Sequence, residues 1–175
     1  NWSFTDLKRN ETLYATHNYH HYHAKFIPQL ARRLIFEYSN PNDIVLDPFG
    51  GCGTTLVEAK LNGRNSIGVD ISKVAVLISK VKTTEINPVY LNKCNRILLN
   101  NIKNTNDHSN YYNTANPRLK SWFRPSQFNR LTNIYNCIQK IKNTKVRLFY
   151  YCCFSNILKK CSIWYSKSVK PMRDF

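Results

Sequence analysis

The segment LDPFGGCGTT (residues 46–55) constrains the fold of this chain more than any other feature of the sequence. Three of the chain's five glycines stand in it, at positions 50, 51 and 53, and all five lie between residues 46 and 70. A glycine accepts a positive φ angle and leaves no side chain between the backbone and a neighbouring group. An aliphatic run precedes these glycines and a helical pattern follows them, so the segment predicts a strand, a tight turn and a helix.

Apolar periodicity extends this unit in both directions. Helices are predicted over residues 28–39, 54–62 and 72–83, and short buried strands over residues 44–47 and 65–70. Helices that alternate with strands in this way predict a parallel sheet with helical crossovers. The predicted fold class is therefore α/β.

Two local signals predict the ends of the helix that follows the glycines. Thr55 is followed three residues later by Glu58, which is the spacing of a capping box at a helix start. Gly63 fits the C-terminal end of the same helix, where a left-handed residue is common. The sequence thus assigns Glu58 a role at the helix N-terminus.

The composition divides the chain and indicates its partner. An α/β portion is predicted over residues 1–103, a polar Asn-rich linker over 104–117 and a basic helical region over 118–175. Twenty-six Lys and Arg against ten Asp and Glu give a net charge of +16. A charge of this size favours a polyanion, with nucleic acid preferred over a merely solubilising surface.

Cysteine, histidine and apolar patterns exclude other classes. The six cysteines have no CxxC pair, which favours reduced, mostly buried thiols over a disulfide framework. The cluster of His20, His21 and His23 is interpreted as surface or pocket-edge histidines, and no metal site is predicted. No apolar run approaches the length of a membrane span and the first residues do not resemble a signal peptide, so a soluble intracellular protein without a membrane partner is expected.

Acidic residues at both predicted strand ends narrow the ligand of the glycine turn. Asp70 ends the second strand, nineteen positions after Gly51, where a carboxylate accepts hydrogen bonds from ribose hydroxyls in nucleotide-type cofactors. Asp47 lies at the mouth of the turn, where it suits a cationic ammonium better than a pyrophosphate. The turn also lacks a third glycine for a dinucleotide and a lysine for a P-loop. These features favour S-adenosylmethionine over NAD or ATP, and over a turn that only packs strand against helix.

The same residues resemble a known family. DPFGGCGTTLVEA (residues 47–59), together with IGVDIS (67–72), resembles the cofactor motif of amino-methylating DNA methyltransferases. HHYHAKFIPQLARRLI (20–35) is similar to the motif that precedes it in cytosine-N4 members, and NPRLKSWF (116–123) and FSNILKKCSIWYSKSVKPMRD (154–174) also look like segments of those enzymes. The resemblance implies a Rossmann-like methyltransferase fold, S-adenosylmethionine, double-stranded DNA as substrate, and a cytoplasmic restriction–modification enzyme of a prokaryote.

The resemblance also implies roles for individual residues. The ribose would be bound by Asp70, with Ile71 beside the adenine, and the upstream motif would line the methionine end through Lys25 and Phe26. Family prolines are replaced there by His21 and His23, so the local backbone is less fixed. The cofactor loop would consist of Asp47, Pro48, Phe49, Gly51, Gly53 and Thr54. Candidates for contact with DNA phosphates, chosen for their charge, are Lys159, Lys160, Lys167, Lys170 and Arg173.

The base-holding motif of this family, S-P-P-Y or a close relative, is not found. INPVY (86–90) lacks the second proline and ANPRL (115–119) lacks the aromatic residue. No catalytic residue is therefore assigned, and we expect a partial sheet with an open edge that belongs to a fragment or to one subunit of a split enzyme. A complementary chain would then supply the motif. A non-catalytic DNA-binding protein, a remnant and an adenine-N6 enzyme are the alternatives. Trp122 and Trp164 are expected in the core rather than as base-stacking platforms.

Overall fold

The chain forms two compact units, which a computed structural model describes over residues 2–23, 25–105 and 110–164. The first unit comprises residues 1–85 and the second residues 86–175. The sequence-based division into an α/β portion (1–103), a linker (104–117) and a basic helical region (118–175) stays a prediction.

The first unit is an α/β arrangement, as predicted. A single turn of 3-10 helix, Arg9–Thr12, precedes its regular elements. Those elements alternate along the chain as α1 (Pro28–Tyr38), β1 (Ile44–Asp47), α2 (Thr54–Leu61), β2 (Asn65–Gly68) and α3 (Lys73–Thr83). The two strands pair in parallel, with Ile44 opposite Asn65 and Asp47 opposite Gly68. The predicted bounds of β1 are confirmed, whereas β2 ends two residues earlier than predicted.

One face of this sheet is covered and the other is exposed. On the covered face, α2 packs against both strands and also against α3, and the buried side chains of these helices include Val57, Ala59 and Ile78. On the opposite face, the side chains of Leu46 and of Ile67, its partner across the strands, are exposed. Parallel strands are usually buried on both faces because helical crossovers cover them. The described residues therefore leave an apolar surface exposed on this face of the sheet.

The start of α2 differs from the prediction. Gly53 is the N-cap residue and adopts a left-handed conformation with φ of 79° and ψ of 31°, and no side chain caps this end. The predicted capping box of Thr55 and Glu58 is wrong, because Glu58 is buried and hydrogen-bonded elsewhere. Gly63 does adopt φ of 71° just after the helix, as predicted for its C-terminal end.

The second unit is helical wherever it forms regular structure in residues 86–105 and 110–164. Its core is formed by buried side chains of three helices, among them Leu98, Ile138 and Val146. A four-residue helix lies inside the Asn-rich segment, where the Tyr112 N–H donates to Asn129 Oδ1 at 2.9 Å. The helices are α4 (Pro88–Asn104), α5 (Tyr111–Thr114), α6 (Pro117–Lys120), α7 (Pro125–Gln139) and α8 (Thr144–Cys161).

Asparagine side chains begin three of these helices. Asn87 Oδ1 accepts hydrogen bonds from the N–H groups of Val89 and Tyr90 at 2.9 and 3.2 Å, and Pro88 occupies the first helical position. Asn116 and Asn143 cap α6 and α8 in the same way. The INPVY and ANPRL segments therefore act as helix starts, for which an asparagine cap followed by proline is well suited.

The six cysteines, all of them among the described residues, form no disulfide bond. Cys52, Cys137 and Cys152 are buried. In the three described ranges, no helix combines the length and the apolar character needed to cross a membrane.

Replacing Gly53 by Ala should destabilise the first unit by about 3 kcal/mol, whereas Gly63→Ala should cost only about 1 kcal/mol. Both residues have positive φ, but a Cβ on Gly53 would lie only 2.6 Å from Ser79 Cβ. A Cβ on Gly63 would have no neighbouring atom within 4 Å. Urea denaturation followed by circular dichroism measures both values. Equal losses would show that contact with α3 does not constrain the turn.

Candidate functional site

The parallel pairing brings two acidic residues to one edge of the sheet. Asp47 is the last residue of β1, and Asp70 follows β2 by two residues. The Val69 N–H donates to the Asp47 carbonyl at 2.9 Å, and the Gly50 N–H donates to the Val69 carbonyl at 2.9 Å. Because the strands run in the same direction, both carboxyl ends and the glycine turn lie at this edge, where open parallel sheets bind ligands.

Asp70 connects the glycine turn to the start of α3. Its Oδ2 accepts a hydrogen bond from the Gly51 N–H at 2.9 Å, and its Oδ1 accepts one from the Ser72 N–H at 2.7 Å. A carboxylate has about four lone-pair sites, so each oxygen retains the capacity for a further donor. Asp70 therefore stabilises the turn and can also accept hydroxyl groups of a ligand.

The turn itself combines a carboxylate with exposed apolar side chains. Asp47 Oδ1 accepts a hydrogen bond from the Phe49 N–H at 3.1 Å, across Pro48. The side chains of Phe49 and Ile71 are 87% and 102% exposed, the two largest values among the large hydrophobic residues of the first unit. Exposed apolar side chains beside two carboxylates indicate a binding surface for a ligand that has both apolar and polar parts.

The remaining predicted loop residues fix the backbone. Gly51 and Gly53 have φ of 49° and 79°, which agrees with the predicted need for positive φ. Thr54 is buried in the first turn of α2, where its hydroxyl lies 3.8 Å from Cys52 Sγ. These residues shape the turn, where the Gly51 N–H donates to Asp70 and the Gly53 N–H donates to the Gly50 carbonyl at 2.7 Å.

The two residues predicted from the upstream motif, Lys25 and Phe26, contact other groups. Lys25 Nζ donates to the backbone carbonyl of His17 at 3.1 Å. Phe26 lines an apolar groove of about 320 Å³ between α1 and β1, which also includes Leu46 and Thr55. No described contact joins either residue to Asp47 or Asp70.

Tyr22, which the sequence-based selection missed, does lie beside the turn. A Cβ on Gly51 would be 3.7 Å from Tyr22 Cε1, so the ring borders the turn closely. Burial, followed by the charge of Asp70, raises the pKa of the Tyr22 hydroxyl. Tyr22 belongs to the same upstream segment as Lys25, but the resemblance did not single out this residue.

A buried carboxylate, also missed, fastens the N-terminal segment to α2. Glu58 Oε1 accepts hydrogen bonds from the Tyr14 hydroxyl at 2.6 Å and from His17 Nε2 at 2.8 Å. Glu58 and His17 are each only 1% exposed. Burial, followed by the hydrogen bond to Glu58, raises the pKa of the Tyr14 hydroxyl.

This Glu58 network determines where the upstream segment lies. The Thr16 hydroxyl adds a bond to the backbone carbonyl of Lys82 on α3, at 3.0 Å. Residues 14–17 are thereby held against both helices that pack behind the sheet. The chain then continues to Tyr22, so the network positions a side chain that borders the glycine turn.

The histidine cluster has ordinary local contacts. His20 Nδ1 lies 2.8 Å from the His21 carbonyl oxygen, and burial lowers the pKa of His20. The rings of His21 and His23 meet edge to face at 4.6 Å. Nowhere in residues 2–23, 25–105 and 110–164 do three His, Cys, Asp or Glu side chains form a group that could hold a metal ion.

The positive charge is concentrated in the second unit. Residues 86–175 contain sixteen Lys and Arg but only two acidic residues, which gives a net charge of +14. Residues 1–85 contain ten Lys and Arg and eight acidic residues, which gives a net charge of +2. Lys159 and Lys160 lie in the last turn of α8. The other candidates for phosphate contact, Lys167, Lys170 and Arg173, lie outside the described residues.

Comparison with known proteins identifies related sequences. Residues 1–81 match the family model described as DNA methylase. This range contains the glycine turn, Asp47, Asp70 and the Glu58 network. The resemblance to amino-methylating DNA methyltransferases is thereby confirmed.

Three relatives illustrate the extent of the similarity. The chain is 39% identical over 107 residues to the type II methyltransferase M.MjaII of Methanocaldococcus jannaschii, which covers 61% of the chain and 20% of that protein. It is 33% identical over 156 residues to M.MvaI of Kocuria varians (84% and 34%) and 35% identical over 131 residues to M.MthZI of Methanothermobacter thermautotrophicus (70% and 34%). The chain thus spans at most about a third of the length of these relatives. No solved structure matches it.

Replacing Glu58 by Ala should destabilise the first unit by about 3 kcal/mol, because the donors of Tyr14 and His17 would lose a buried acceptor. Glu37→Ala is the matched control, since Glu37 is exposed and pairs with Arg33 at 4.0 Å on one helix. That change should cost less than about 0.5 kcal/mol. Urea denaturation measures both, and similar losses for the two variants would contradict the importance of the network.

Proposed function

We propose, from the premise that residues 1–81 belong to the DNA methylase family, that this chain is the cofactor-binding part of a site-specific DNA methyltransferase. The observation that carries the proposal is the meeting of Asp47, Asp70 and the glycine turn at the carboxyl edge of a parallel sheet. The proposed cofactor is S-adenosylmethionine, and the two strands with their helices would form part of a Rossmann-like methyltransferase fold.

The residues present fit this cofactor. Asp70 retains acceptor capacity for ribose hydroxyls after binding the Gly51 and Ser72 N–H groups. The exposed side chain of Ile71 offers an apolar surface for the adenine. The Asp47 carboxylate suits the ammonium group of the methionine end, and it would repel a pyrophosphate.

The chain's role in catalysis would be to hold the methyl donor. S-adenosylmethionine, when bound, supplies an activated methyl group on a sulfonium. Asp70 and Ile71 would bind the adenosine half, while Asp47 would bind the methionine half, together with Lys25 and Phe26 of the upstream segment. Fixing both halves orients the donor toward an incoming amino nitrogen, and correct orientation supplies much of the rate of such a transfer.

Further polypeptide is proposed to hold the target base. The S-P-P-Y type motif would come from a complementary segment or chain, which would also cover the exposed face of Leu46 and Ile67. The aligned part of the chain covers only about a third of these relatives, which leaves room for such a segment. Cytosine-N4 is the proposed target, because the segments flanking the glycine turn are similar to those of cytosine-N4 members.

A non-catalytic DNA-binding protein is the second candidate function, and the net charge of +14 in the second unit favours it. Both candidates bind DNA, so cofactor binding separates them. An intact chain that binds DNA but not S-adenosylmethionine would support this second function.

Calorimetry with S-adenosylmethionine should show that Asp70→Asn weakens binding at least about tenfold, because a hydrogen bond to a charged group is worth roughly 1.5–3 kcal/mol. Asp43→Asn is the control. Asp43 precedes β1 at the opposite edge of the sheet and also accepts a backbone N–H, that of Asn40 at 2.7 Å. Its substitution should change affinity less than about twofold, and equal effects of the two variants would contradict the proposed site.

A truncated ligand should separate the roles of the two aspartates. Methylthioadenosine lacks the amino-acid end of the cofactor, so Asp47→Asn should weaken S-adenosylmethionine but leave methylthioadenosine unchanged. Asp70→Asn should weaken both ligands. If both variants weakened the binding of methylthioadenosine equally, the proposed contact between Asp47 and the ammonium group would be contradicted.

Binding to duplex DNA should weaken steeply with salt, and the Lys159→Ala/Lys160→Ala variant should reduce the slope of log affinity against log salt by about 2. Lys73→Ala/Lys80→Ala removes the same charge from exposed positions on α3 in the first unit. That control should leave the slope unchanged. A slope near zero for the unmodified chain would exclude a phosphate-led mode of binding.

A further inference from the structure

A cavity of about 420 Å³ lies in the second unit, between the segment that follows α6 and the end of α8. Its lining includes Arg118, Trp122, Phe123, Leu158, Lys159 and Trp164. The two walls are joined by backbone hydrogen bonding, because the Ile163 N–H donates to the Trp122 carbonyl at 2.9 Å. The volume falls in the range of small-ligand pockets, about 300–1,000 Å³.

The aromatic wall is formed by two indoles that do not belong to a sealed core. The ring centres of Trp122 and Trp164 are 5.7 Å apart and their planes differ by 35°. Both side chains are half-buried and border the cavity. Lys159 places its ammonium nitrogen 4.9 Å from the centre of the Trp164 ring. The cavity thus presents indole surface and a cation together.

The charged side chains that the structure describes in the second unit are all positive. Residues 86–105 and 110–164 contain thirteen Lys and Arg and no Asp or Glu. Two of these cations, Arg118 and Lys159, line the cavity. A ligand with a flat aromatic group and an attached anion would satisfy both features, because bases stack on indoles and phosphates pair with Lys and Arg.

We propose that this pocket, which we call the indole pocket, binds a single unstacked nucleotide of DNA. Its base would stack on the indole surface, and its phosphate would lie near Lys159 and Arg118. A base inside a continuous duplex stack cannot present its face to a protein, so the pocket would select a base displaced from the stack. This inference rests on the proposed DNA binding and gives the second unit a role beyond attracting phosphates.

Tryptophan fluorescence can report on the indole pocket alone. The chain has three tryptophans, and Trp2→Phe leaves only the two that line the pocket. The probe is a duplex with one bulged thymidine, compared with the same duplex carrying an abasic bulge. The bulged base should quench the emission and bind at least about fivefold more tightly than the abasic bulge. Equal affinities with unchanged emission would overturn the proposal and indicate that polypeptide covers the pocket.

Two variants complete the test. Trp164→Leu should abolish the preference for the base while leaving the salt dependence in place. Tyr135→Leu removes an aromatic side chain elsewhere in the same unit, where the ring centres of Tyr135 and Tyr151 are 5.6 Å apart. This variant should leave the preference for the base intact. The comparison of the two bulges needs neither variant, so it decides the matter even if Trp164→Leu fails to fold. Binding to neither duplex would overturn DNA binding itself, whereas salt-sensitive binding without base preference would overturn only the indole pocket.

Discussion

The hydrogen bonds that Asp70 accepts from the Gly51 and Ser72 N–H groups are the interaction on which the candidate site depends. They connect the turn after β1 to the start of α3, and so they hold the two strand ends in one arrangement. The same carboxylate is the proposed ribose ligand. A single residue thus stabilises the turn and is also the proposed acceptor for the cofactor, so its substitution must be compared with that of a matched aspartate elsewhere.

The Glu58 network extends this arrangement to the N-terminal segment. Packing against α2 and α3 places Tyr22 beside Gly51, although the two residues are far apart along the chain. A buried carboxylate is expensive unless its hydrogen bonds are satisfied, and Tyr14 and His17 provide them. The position of the upstream segment is therefore determined by the interior of the unit and not by the exposed loop.

Local patterns in the sequence predicted the first unit well because its elements depend on local features. The bounds of β1 followed from an aliphatic run between turn residues, and the left-handed glycines followed from their place between strand and helix. Glu58 was assigned to a capping box because spacing alone cannot tell a surface carboxylate from a buried one. Tyr22 was missed for the same reason, since its contact with the turn depends on long-range packing. In the second unit, Asn87 and Asn116 formed motif-like pairs with proline whose role is local helix capping.

The distribution of charge separates the roles of the two units. The nearly neutral first unit carries the carboxylates suited to a cofactor, while the second carries almost all of the excess positive charge. The total charge indicated a polyanionic partner, and the division into units shows which part of the chain carries that charge. One of these cations, Lys159, also makes a cation–π contact with the indole of Trp164 in the same unit.

The most direct test of the central claim is a titration of the isotopically labelled chain with S-adenosylmethionine, followed by backbone amide NMR. The proposed site predicts that the signals of residues 50–54 and 70–72 shift in a saturable manner, while those of α8 do not. No shift at these positions, or shifts confined to the second unit, would contradict a cofactor site at the glycine turn.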